Sequence, residues 1–294
     1  MIDTPGDAVL SVGDTIAGKY RIESTLGTGG MGIVFAASHL ALDRTVAVKV
    51  MRAEMAEHAE AVERLLLEAK LAARFRGEHV CRVLDVGTLP SGVPFIVMEY
   101  LEGADLATLL NQQGAFEVPT AVDFVMEASE ALAEAHLAQI VHRDLKPENL
   151  FVTRLLDGTP SIKVLDFGIS KQLGANGSGR SLTNPSASLG SPYYMAPEQM
   201  RSPRDTDSRA DIWALGAILF ELLTGHQAFE GETLPEVCAA VMNSELPRVS
   251  EIVPDVPDAL ADLIDRCLRK DPAQRFSTVA ELATLLAHDA TYNQ

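Results

Sequence analysis

From Lys19 to about Tyr100, hydrophobic residues fall in short runs separated by turn residues, the pattern of β-strands. The five predicted strands are Tyr20–Leu26, Ile33–Ala37, Val46–Met51, Cys81–Val86 and Phe95–Tyr100. Between the third and the fourth, the chain from Glu54 to Phe75 carries apolar residues at helical spacing, so one helix is predicted there. Residues 1–17 show no periodicity and predict a flexible lead-in.

Beyond Gly103 the hydrophobic positions recur every three or four residues, which is typical of helices. The predicted helices are Ala121–Gln139, Asp211–Leu223, Leu234–Met242, Asp258–Lys270 and Val279–His288. The second is apolar on nearly all sides, as expected for a helix in the centre of a domain. The pattern therefore predicts an α+β chain of two lobes. A β-rich lobe with one main helix covers about residues 18–101, a mainly helical lobe covers about 102–288, and a tail covers 289–294.

Charge and composition narrow the classes of partner. The chain has 24 Lys and Arg against 41 Asp and Glu, a formal net charge of −17. Such a surface repels nucleic acid and anionic lipid, so neither is expected as a partner. The longest apolar run, Ile212–Phe220, is too short to span a bilayer, and any membrane anchor would lie outside these residues. Three widely separated cysteines predict no disulfide framework, which favours a cytoplasmic location.

A glycine-rich segment, LGTGGMGIV at residues 26–34, contains the spacing G-x-G-x-x-G. Alone this is a weak signal, because dinucleotide-binding folds and ordinary glycine turns share it. In a dinucleotide-binding fold the glycines open a helix, whereas here they lie between two predicted strands. A glycine-rich hairpin can bring backbone N–H groups over phosphates, since no side chain holds the ligand away. The segment therefore predicts a phosphate-binding loop.

Lys49 lies near the end of the third predicted strand, and two interpretations compete for it. Considered alone, it is an edge lysine whose stem lies along apolar surface. After a glycine loop, a cation is better explained as a ligand of polyphosphate. A buried lysine also needs a counter-charge. The following helix offers Glu60, Glu63 and Glu68, and the residue pattern alone does not choose among them.

Two polar segments of the helical half are flanked by apolar, strand-like residues: VHRDLKPENL at 141–150 and IKVLDFG at 162–168. The first could be a solvated turn with an Arg–Asp pair, but the second follows too closely for that interpretation to be preferred. Asn149 and Asp166 would present two oxygen ligands to one cation from neighbouring strands. This suits Mg²⁺, which keeps several waters and binds few protein oxygens together with substrate phosphates.

Together these segments resemble the motifs of eukaryotic-type serine/threonine protein kinases from about Lys19 to about His288. The glycine loop, VAVK at 46–49, HRDLKPEN at 142–149, DFG at 166–168 and APE at 196–198 occur in the family's order and spacing. The Gly-Gly-Met-Gly sequence is similar to that of the family's bacterial branch. The resemblance implies the bilobal protein kinase fold. It also implies transfer of the γ-phosphoryl group of ATP to Ser and Thr hydroxyls of proteins in signalling, with Mg²⁺ as the metal and Mn²⁺ as an alternative.

The resemblance implies roles for the residues of the two polar segments. Asp144 would orient the substrate hydroxyl and accept its proton, and Lys146 would stabilise the transferring phosphoryl group. Asn149 and Asp166 would hold the metal. Because the transition state is loose and carries negative charge on its peripheral oxygens, positioning and electrostatic stabilisation supply most of the catalysis.

At the ATP site, the resemblance implies that Lys49 contacts the α- and β-phosphates. A Glu-Ala pair in the middle of the family's helix selects Glu68 as its partner. Met98 resembles the residue that guards the adenine pocket, the backbone of Glu99–Leu101 resembles the adenine-binding hinge, and Asp105 occupies a position that often contacts ribose. The full set of expected ATP-binding residues is Leu26, Gly27, Thr28, Gly29, Gly30, Met31, Gly32, Val34, Ala47, Lys49, Met98, Glu99, Tyr100, Leu101, Asp105 and Leu150.

Two further resemblances favour serine and threonine as acceptors. Lys146 stands two positions after Asp144, where tyrosine kinases usually differ, and GSPYYM at 190–195 resembles the loop that receives the residue after the phosphoacceptor. The family usually has threonine at Ser191. A serine hydroxyl can make the same hydrogen bonds, although it lacks the methyl group that limits its rotamers, so activity is expected to survive.

Structural roles are implied as well. Asp211, at the start of the buried helix, would accept hydrogen bonds from the catalytic-loop backbone, and Arg275 would pair with Glu198. Trp213, the single tryptophan, is expected in the core rather than against a ligand.

Residues 167–197 contain no Asp or Glu, and residues 174–190 are rich in Gly, Ser and Asn, which predicts a mobile loop. Thr183 lies seven residues before Gly190, where bacterial relatives often carry an activating threonine. Autophosphorylation is therefore expected at Thr183, and Arg143 and Lys171 resemble the cations that bind such a phosphate. The competing sites are Ser181, Ser186 and Ser188, and the alternative is an unmodified loop.

Two other functions compete with protein phosphorylation. A pseudokinase of the same fold would usually lack the equivalents of Lys49, Asp144 or Asp166, and this chain keeps all three. A small-molecule phosphotransferase should lack the segments at 190–195 and 196–198. Protein substrates with Ser or Thr acceptors are thus the expected partners, and a second copy of the chain is a candidate partner in autophosphorylation.

Overall fold

The computed structural model describes residues 10–29, 32–167, 192–202 and 206–288, apart from the side chains of Arg64, Glu68 and His288. The chain divides into two compact units. Unit 1 comprises Met1–Arg74 and Cys81–Leu101, and unit 2 comprises Phe75–Val80 and Glu102–Gln294.

Unit 1 is built on one antiparallel sheet with the strand order β1-β2-β3-β4-β6-β5. Its strands are β1 Thr15–Ile16, β2 Tyr20–Thr28, β3 Gly32–His39, β4 Arg44–Met51, β5 Val83–Thr88 and β6 Pro94–Glu99. All five predicted strands are present. The first strand was not predicted: Thr15 and Ile16 pair with β2, within the part of the chain expected to be a flexible lead-in.

Two helices follow β4, α1 Ala53–Ala56 and α2 Ala59–Ala72, and the prediction of one helix from Glu54 to Phe75 is wrong. The chain leaves the helical conformation at His58, where φ is −95° and ψ is 102°. The buried residues Leu65 and Ala69 lie on α2, whereas no residue of α1 is buried. Side chains of α2 join a core made by one face of the sheet, which includes Phe35, Val48 and Val97.

Unit 2 contains a three-stranded antiparallel sheet, β7 Ala104–Asp105, β8 Leu150–Arg154 and β9 Pro160–Val164, in that order. Its described helices are α3 Leu106–Gln113, α4 Val118–Leu137, α5 Pro197–Arg201, α6 Arg209–Thr224, α7 Leu234–Asn243, α8 Val249–Ile252, α9 Asp258–Cys267 and α10 Val279–His288. The five predicted helices are present, the last with the predicted bounds and the other four with one or both ends shifted. The short elements α3, α5, α8 and β7 were not predicted, because each is too short to show a period.

The core of unit 2 surrounds α6, whose residues are buried on nearly every side. Trp213 is fully buried and stacks on Phe229 with a ring separation of 5.3 Å, so its predicted place in the core is confirmed. Because Gly216 has no side chain, α6 and α9 can approach closely; a side chain there would collide with Cys267 of α9. Across the described residues, no helix is both long enough and apolar enough to cross a membrane.

Residues 75–80 belong to unit 2, although the sequence pattern grouped them with the first lobe. The carboxylate of Glu134 on α4 accepts hydrogen bonds from the backbone N–H groups of Arg76 and Gly77, at 2.8 and 2.9 Å. The N–H of Val164 on β9 donates to the carbonyl of His79 at 2.8 Å. This segment, residues 75–80, is therefore held by a helix and a strand of unit 2.

Candidate active site

One carboxylate fixes the backbone of the predicted catalytic loop, residues 141–150. Asp211 lies in the first turn of α6 and is 1% exposed. Its Oδ1 accepts a hydrogen bond from the N–H of Arg143, and its Oδ2 accepts one from the N–H of His142, both at 2.9 Å. The predicted contact of Asp211 is thus confirmed. The ring Nε2 of His136, at the end of α4, lies 2.7 Å from the same Oδ2.

Arg143 has a left-handed backbone with φ of +62°, which is unfavourable for a residue with a side chain. Such strain costs on the order of 1–3 kcal/mol and persists only where neighbouring groups enforce it. Three groups do so here: Asp211 accepts from its N–H, the amide of Gln199 donates to its carbonyl at 3.0 Å, and its Nη2 donates to the carbonyl of Thr206 at 2.8 Å. The residue before the predicted base is therefore held on all sides.

His142 is fully buried, and its ring lies between the two polar segments. Its Nδ1 is 3.3 Å from the N–H of Asp144 and therefore acts as an acceptor. Its Nε2 is 3.1 Å from the carbonyl of Leu165, which requires Nε2 to carry the proton. The ring also packs against Phe167, with centroids 5.2 Å apart. His142 thus links residues 144 and 165.

Asn149 and Asp166 lie next to each other in unit 2. The carbonyl of Asn149 accepts a hydrogen bond from the N–H of Leu165 at 2.8 Å, one residue before Asp166. The side-chain Nδ2 of Asn149 donates to the carbonyl of Asp144 at 2.8 Å. Because the nitrogen end of the amide is engaged, Oδ1 points the other way. Asp166 is exposed and has a left-handed backbone, with φ of +45°.

These donors fit a hard divalent cation. An amide oxygen and a carboxylate are oxygen ligands of the kind that Mg²⁺ prefers, and Mg²⁺ needs few of them when phosphates and waters complete its shell. Among the described residues no cluster of three His, Cys, Asp or Glu side chains could hold a metal by itself. A cation would therefore bind here together with its substrate, as the sequence suggests.

In unit 1, four of the residues expected at the ATP site lie on one face of the sheet. Val34 of β3 pairs with Lys49 of β4, and Ala47 pairs with Met98 of β6. Directly paired residues of antiparallel strands share a face, as do residues two apart on one strand. Ala47 and Lys49 therefore project from the same side of the sheet as Val34 and Met98, opposite to the side of Val48.

The described part of the glycine loop is held by hydrogen bonds within the loop and to Arg52. Gly29 N–H donates to the carbonyl of Gly32 at 2.8 Å, and Nε of Arg52 donates to the carbonyl of Gly29 at 3.0 Å. A side chain at Gly32 would collide with the backbone carbonyl of Val50 on β4. Gly32 is therefore required for the close approach of the hairpin to its neighbour. Gly30 and Met31 lie outside the described residues.

Other expected nucleotide contacts have structural partners of their own. Within unit 1, Glu99 accepts a hydrogen bond from the N–H of Arg82 at 2.8 Å. Within unit 2, both carboxylate oxygens of Asp105 accept from Thr108, one from its N–H and one from its hydroxyl, each at 2.8 Å. Asp105 is thus the N-cap of α3. Its expected contact with ribose stays a prediction.

The segment 192–201 is fixed by its polar side chains. Arg275 donates to both carboxylate oxygens of Glu198 at 2.7 and 2.8 Å, which confirms the predicted ion pair. The hydroxyl of Tyr194 donates to Glu221 at 2.6 Å. Burial raises the pKa of the Glu221 carboxyl, the hydrogen bond from Tyr194 acts against this rise, and the charge of Glu148 adds to it.

Several sequence expectations lie outside the described residues. Thr183 and its competitors Ser181, Ser186 and Ser188 fall there, as do Lys171, Gly190 and Ser191. The backbone of Glu68 is described on α2 but its side chain is not, so its pairing with Lys49 stays a prediction. The backbone of Lys146 is extended and caps the short 3₁₀ turn Pro147–Asn149.

Sequence reasoning missed His136 and Gln199. Both are polar residues that would otherwise be expected at the surface, and Gln199 is 8% exposed. A signal for Gln199 is its place three positions after Ala196, the N-cap of α5, where a glutamine side chain can accept from the N-cap N–H. For His136, the only signal is a polar residue at the C-terminal end of a largely apolar helix.

Comparison with known proteins identifies the family. A family model described as protein kinase domain matches residues 20–289. Serine/threonine-protein kinase pkn3 of Myxococcus xanthus is 40% identical over 266 residues, which are 90% of this chain and 48% of the relative. Serine/threonine-protein kinase PrkC of Bacillus subtilis is 35% identical over 273 residues, which are 93% of this chain and 41% of the relative. The chain therefore spans about half the length of these curated relatives, or less.

Solved structures agree. The kinase domain of Mycobacterium tuberculosis PknI is 28% identical and superposes with a TM-score of 0.71. The match covers 95% of this chain and 99% of that domain. The β-rich unit 1 and the helical unit 2 thus belong to the protein kinase fold predicted from the motifs. With the family model matched over most of its length, this chain belongs to the protein kinase family, in the bacterial serine/threonine branch.

Proposed function

We propose that this chain transfers the γ-phosphoryl group of ATP to serine and threonine hydroxyls of protein substrates. The observation that carries the proposal is the pair of hydrogen bonds made by Asn149. Its side-chain amide donates to the carbonyl of Asp144, and its carbonyl accepts from Leu165. These bonds support a site in which Asp144 is the proton acceptor and Asn149 and Asp166 are the metal ligands, the groups that phosphoryl transfer needs from the protein.

In this mechanism Asp144 orients the acceptor hydroxyl and takes its proton as the oxygen bonds to the γ-phosphorus. The bond from phosphorus to the β–γ bridging oxygen breaks, and ADP leaves with that electron pair. Lys146 and Lys49 offset negative charge on the phosphates. When bound, Mg²⁺ or Mn²⁺ at Asn149 and Asp166 supplies further positive charge to the phosphate oxygens.

The face of unit 1 described above supports ATP as the donor. Val34, Ala47 and Met98 offer apolar surface of the kind that an adenine ring requires, and Lys49 stands on the same face. The names of the relatives support Ser and Thr as acceptors, as does Lys146 two positions after Asp144. Protein substrates, a cytoplasmic location and the absence of nucleic-acid partners remain parts of the proposal.

Incubation with γ-labelled ATP, Mg²⁺ and a generic protein substrate tests this function. Transfer to protein Ser and Thr by the natural chain, and its loss in Asp144→Asn, is the expected result. Transfer to a small molecule alone would favour a small-molecule phosphotransferase. Nucleotide binding without any transfer would favour a pseudokinase.

We further propose that the chain phosphorylates itself on Thr183, with a second copy as the partner. Arg143 supports this, because its Nε is a buried donor that lacks a hydrogen-bond partner among the described residues. A phosphate adds about −1.5 to −2 charges, and residues 167–197 contain no acid to repel it. Each hydrogen bond to it would contribute roughly 1.5–3 kcal/mol.

Mass spectrometry after incubation with Mg-ATP, beside the Asp144→Asn variant, would locate the phosphate. Activities of Thr183→Ala and Arg143→Ala would then measure its effect. An unphosphorylated loop in a fully active enzyme would rule out this regulation.

A further inference from the structure

The side chain of Gln199 joins two segments of unit 2 that are far apart in sequence. Its Oε1 accepts a hydrogen bond from the N–H of Ala196 at 2.9 Å, at the start of α5. Its Nε2 donates to the carbonyl of Arg143 at 3.0 Å. The amide therefore acts as donor and acceptor at once, and it does so in a nearly fully buried position, with 8% of the residue exposed.

The carbonyl that Gln199 binds belongs to the peptide group between Arg143 and Asp144. This group is planar, so holding its oxygen also fixes the N–H of Asp144 and limits the direction of the Asp144 side chain. On the other edge of the plane, that N–H faces Nδ1 of His142 at 3.3 Å, a long contact. The shorter bond from Gln199 is thus the stronger constraint on the plane.

Constraint is needed here because Arg143 has a left-handed backbone. Relaxation of that φ toward the ordinary region would turn the following peptide group and carry Asp144 with it. Asp211 holds the N-terminal side of Arg143, and Gln199 holds the C-terminal side, nearest to Asp144.

We propose that Gln199 is a positioning residue that couples the start of α5, which directly follows the segment 190–195 expected to receive the substrate, to the orientation of Asp144. The inference rests on the proposed kinase activity and adds to it a residue that makes no contact with the reacting atoms. Movement of the N-terminus of α5 would reach Asp144 through one side chain and one peptide plane.

Both bonds need a side chain that accepts at one atom and donates at another, as an amide or a protonated carboxyl of this length does. In Gln199→Glu at neutral pH the ionised carboxylate still accepts from Ala196, but it cannot donate to Arg143 and instead repels that carbonyl. Protonation at acid pH restores a donor. In Gln199→Met the chain length is kept and both bonds are lost.

The experiment measures kcat, the KM for ATP and the melting temperature of the natural chain, Gln199→Glu and Gln199→Met, with Gln112→Glu as the control for an added charge. Gln112 is an exposed residue of α3. We expect kcat to fall about 10- to 100-fold in both Gln199 variants with little change in the KM for ATP, since a catalytic group misplaced by about 1 Å costs about that much. The kcat of Gln199→Glu, divided by that of the natural chain, should rise as the pH is lowered.

Activity of the natural chain with unchanged kcat in both Gln199 variants would overturn the inference and leave the proposed function standing. An inactive natural chain would count against the proposed function itself. If Gln199→Met does not fold, the pH series of Gln199→Glu decides: a ratio of kcat values that stays constant with pH contradicts the inference.

Discussion

Arg275 and Glu198 form a two-hydrogen-bond ion pair in which the arginine side chain is completely buried and the glutamate is 18% exposed. The same guanidinium donates to the carbonyls of Arg209 and Arg269, at 2.9 and 2.8 Å. The pair thus joins α5, the start of α6 and the chain after α9. Breaking it would leave a largely buried charge without its partner.

We therefore expect Arg275→Leu to lower the free energy of unfolding by about 3–5 kcal/mol, measured by urea denaturation. The matched control is Arg266→Leu, which removes the exposed pair with Glu281, where the side chains are 44% and 38% exposed. That loss should be below about 1 kcal/mol. Equal losses at the two sites would contradict the buried-pair argument.

Asp211→Asn should impair both stability and turnover. An asparagine has one oxygen, so only one of the N–H groups of His142 and Arg143 keeps its acceptor, and the other faces an NH₂ group. A buried N–H left without a partner costs about 1–3 kcal/mol. We expect a lower melting temperature and a lower kcat. Asp258→Asn, at a side chain that is 91% exposed, should change neither.

Kinetic measurements distinguish the proposed metal ligand, Asp166, from the proposed base, Asp144. Asp166→Asn should abolish phosphoryl transfer while unfolding remains cooperative, because it removes a charged metal ligand. Asp144→Asn should cut turnover by orders of magnitude with little change in nucleotide affinity. Labelled-ATP assays and nucleotide titrations measure both. Near-normal turnover of Asp144→Asn would show that the base is another residue.

Lys49→Met should disable catalysis, and Glu68→Gln should do so more mildly by loosening the position of the lysine. Glu60→Gln and Glu63→Gln are controls on the same helix, and both side chains are exposed. Turnover with Mg-ATP is the measurement. A larger loss of turnover in either control than in Glu68→Gln would show that the control glutamate, and not Glu68, is the partner of Lys49.

Glu221 predicts a pH dependence of stability. Burial raises the pKa of its carboxyl in the folded chain above the ordinary value of 4.5. The folded state then holds the proton to higher pH than the unfolded chain, so this group's contribution falls as the pH rises from about 4.5 through the raised value. The melting temperature of Glu221→Gln, compared with that of the natural chain, should therefore increase between acid and neutral pH. A difference that is constant over this range would contradict the raised pKa.

Much of the fold could be predicted from the sequence because strand and helix periods are local. The helix α6 was located within two residues at its N-terminal end, and its buried Asp211 was assigned the contact that it makes. The break at His58 was not predicted, since no proline or glycine marks it. The predicted helix therefore ran through the residues before α2, whose apolar positions do not follow the helical period.

Some residues of the candidate site could likewise be predicted from the sequence, and others could not. Asp144, Asn149 and Asp166 belong to contiguous motifs and could be found by order and spacing. Gln199 acts on the backbone of Arg143, 56 residues earlier, and no spacing encodes such a contact. A hydrogen bond from a side chain to a distant carbonyl depends on the fold and leaves no pattern in one sequence.

The assignment of residues 75–80 to unit 2 limits how this protein can be taken apart. The chain crosses from one unit to the other after Arg74, after Val80 and after Leu101. A fragment that starts at Glu102 would lack the backbone that Glu134 and Val164 bind, and the Glu134 carboxylate would lose both of these N–H donors. The two units therefore cannot be exchanged with those of another kinase by one recombination point. A chimera must therefore carry residues 75–80 together with unit 2, although in the sequence they lie between the two parts of unit 1.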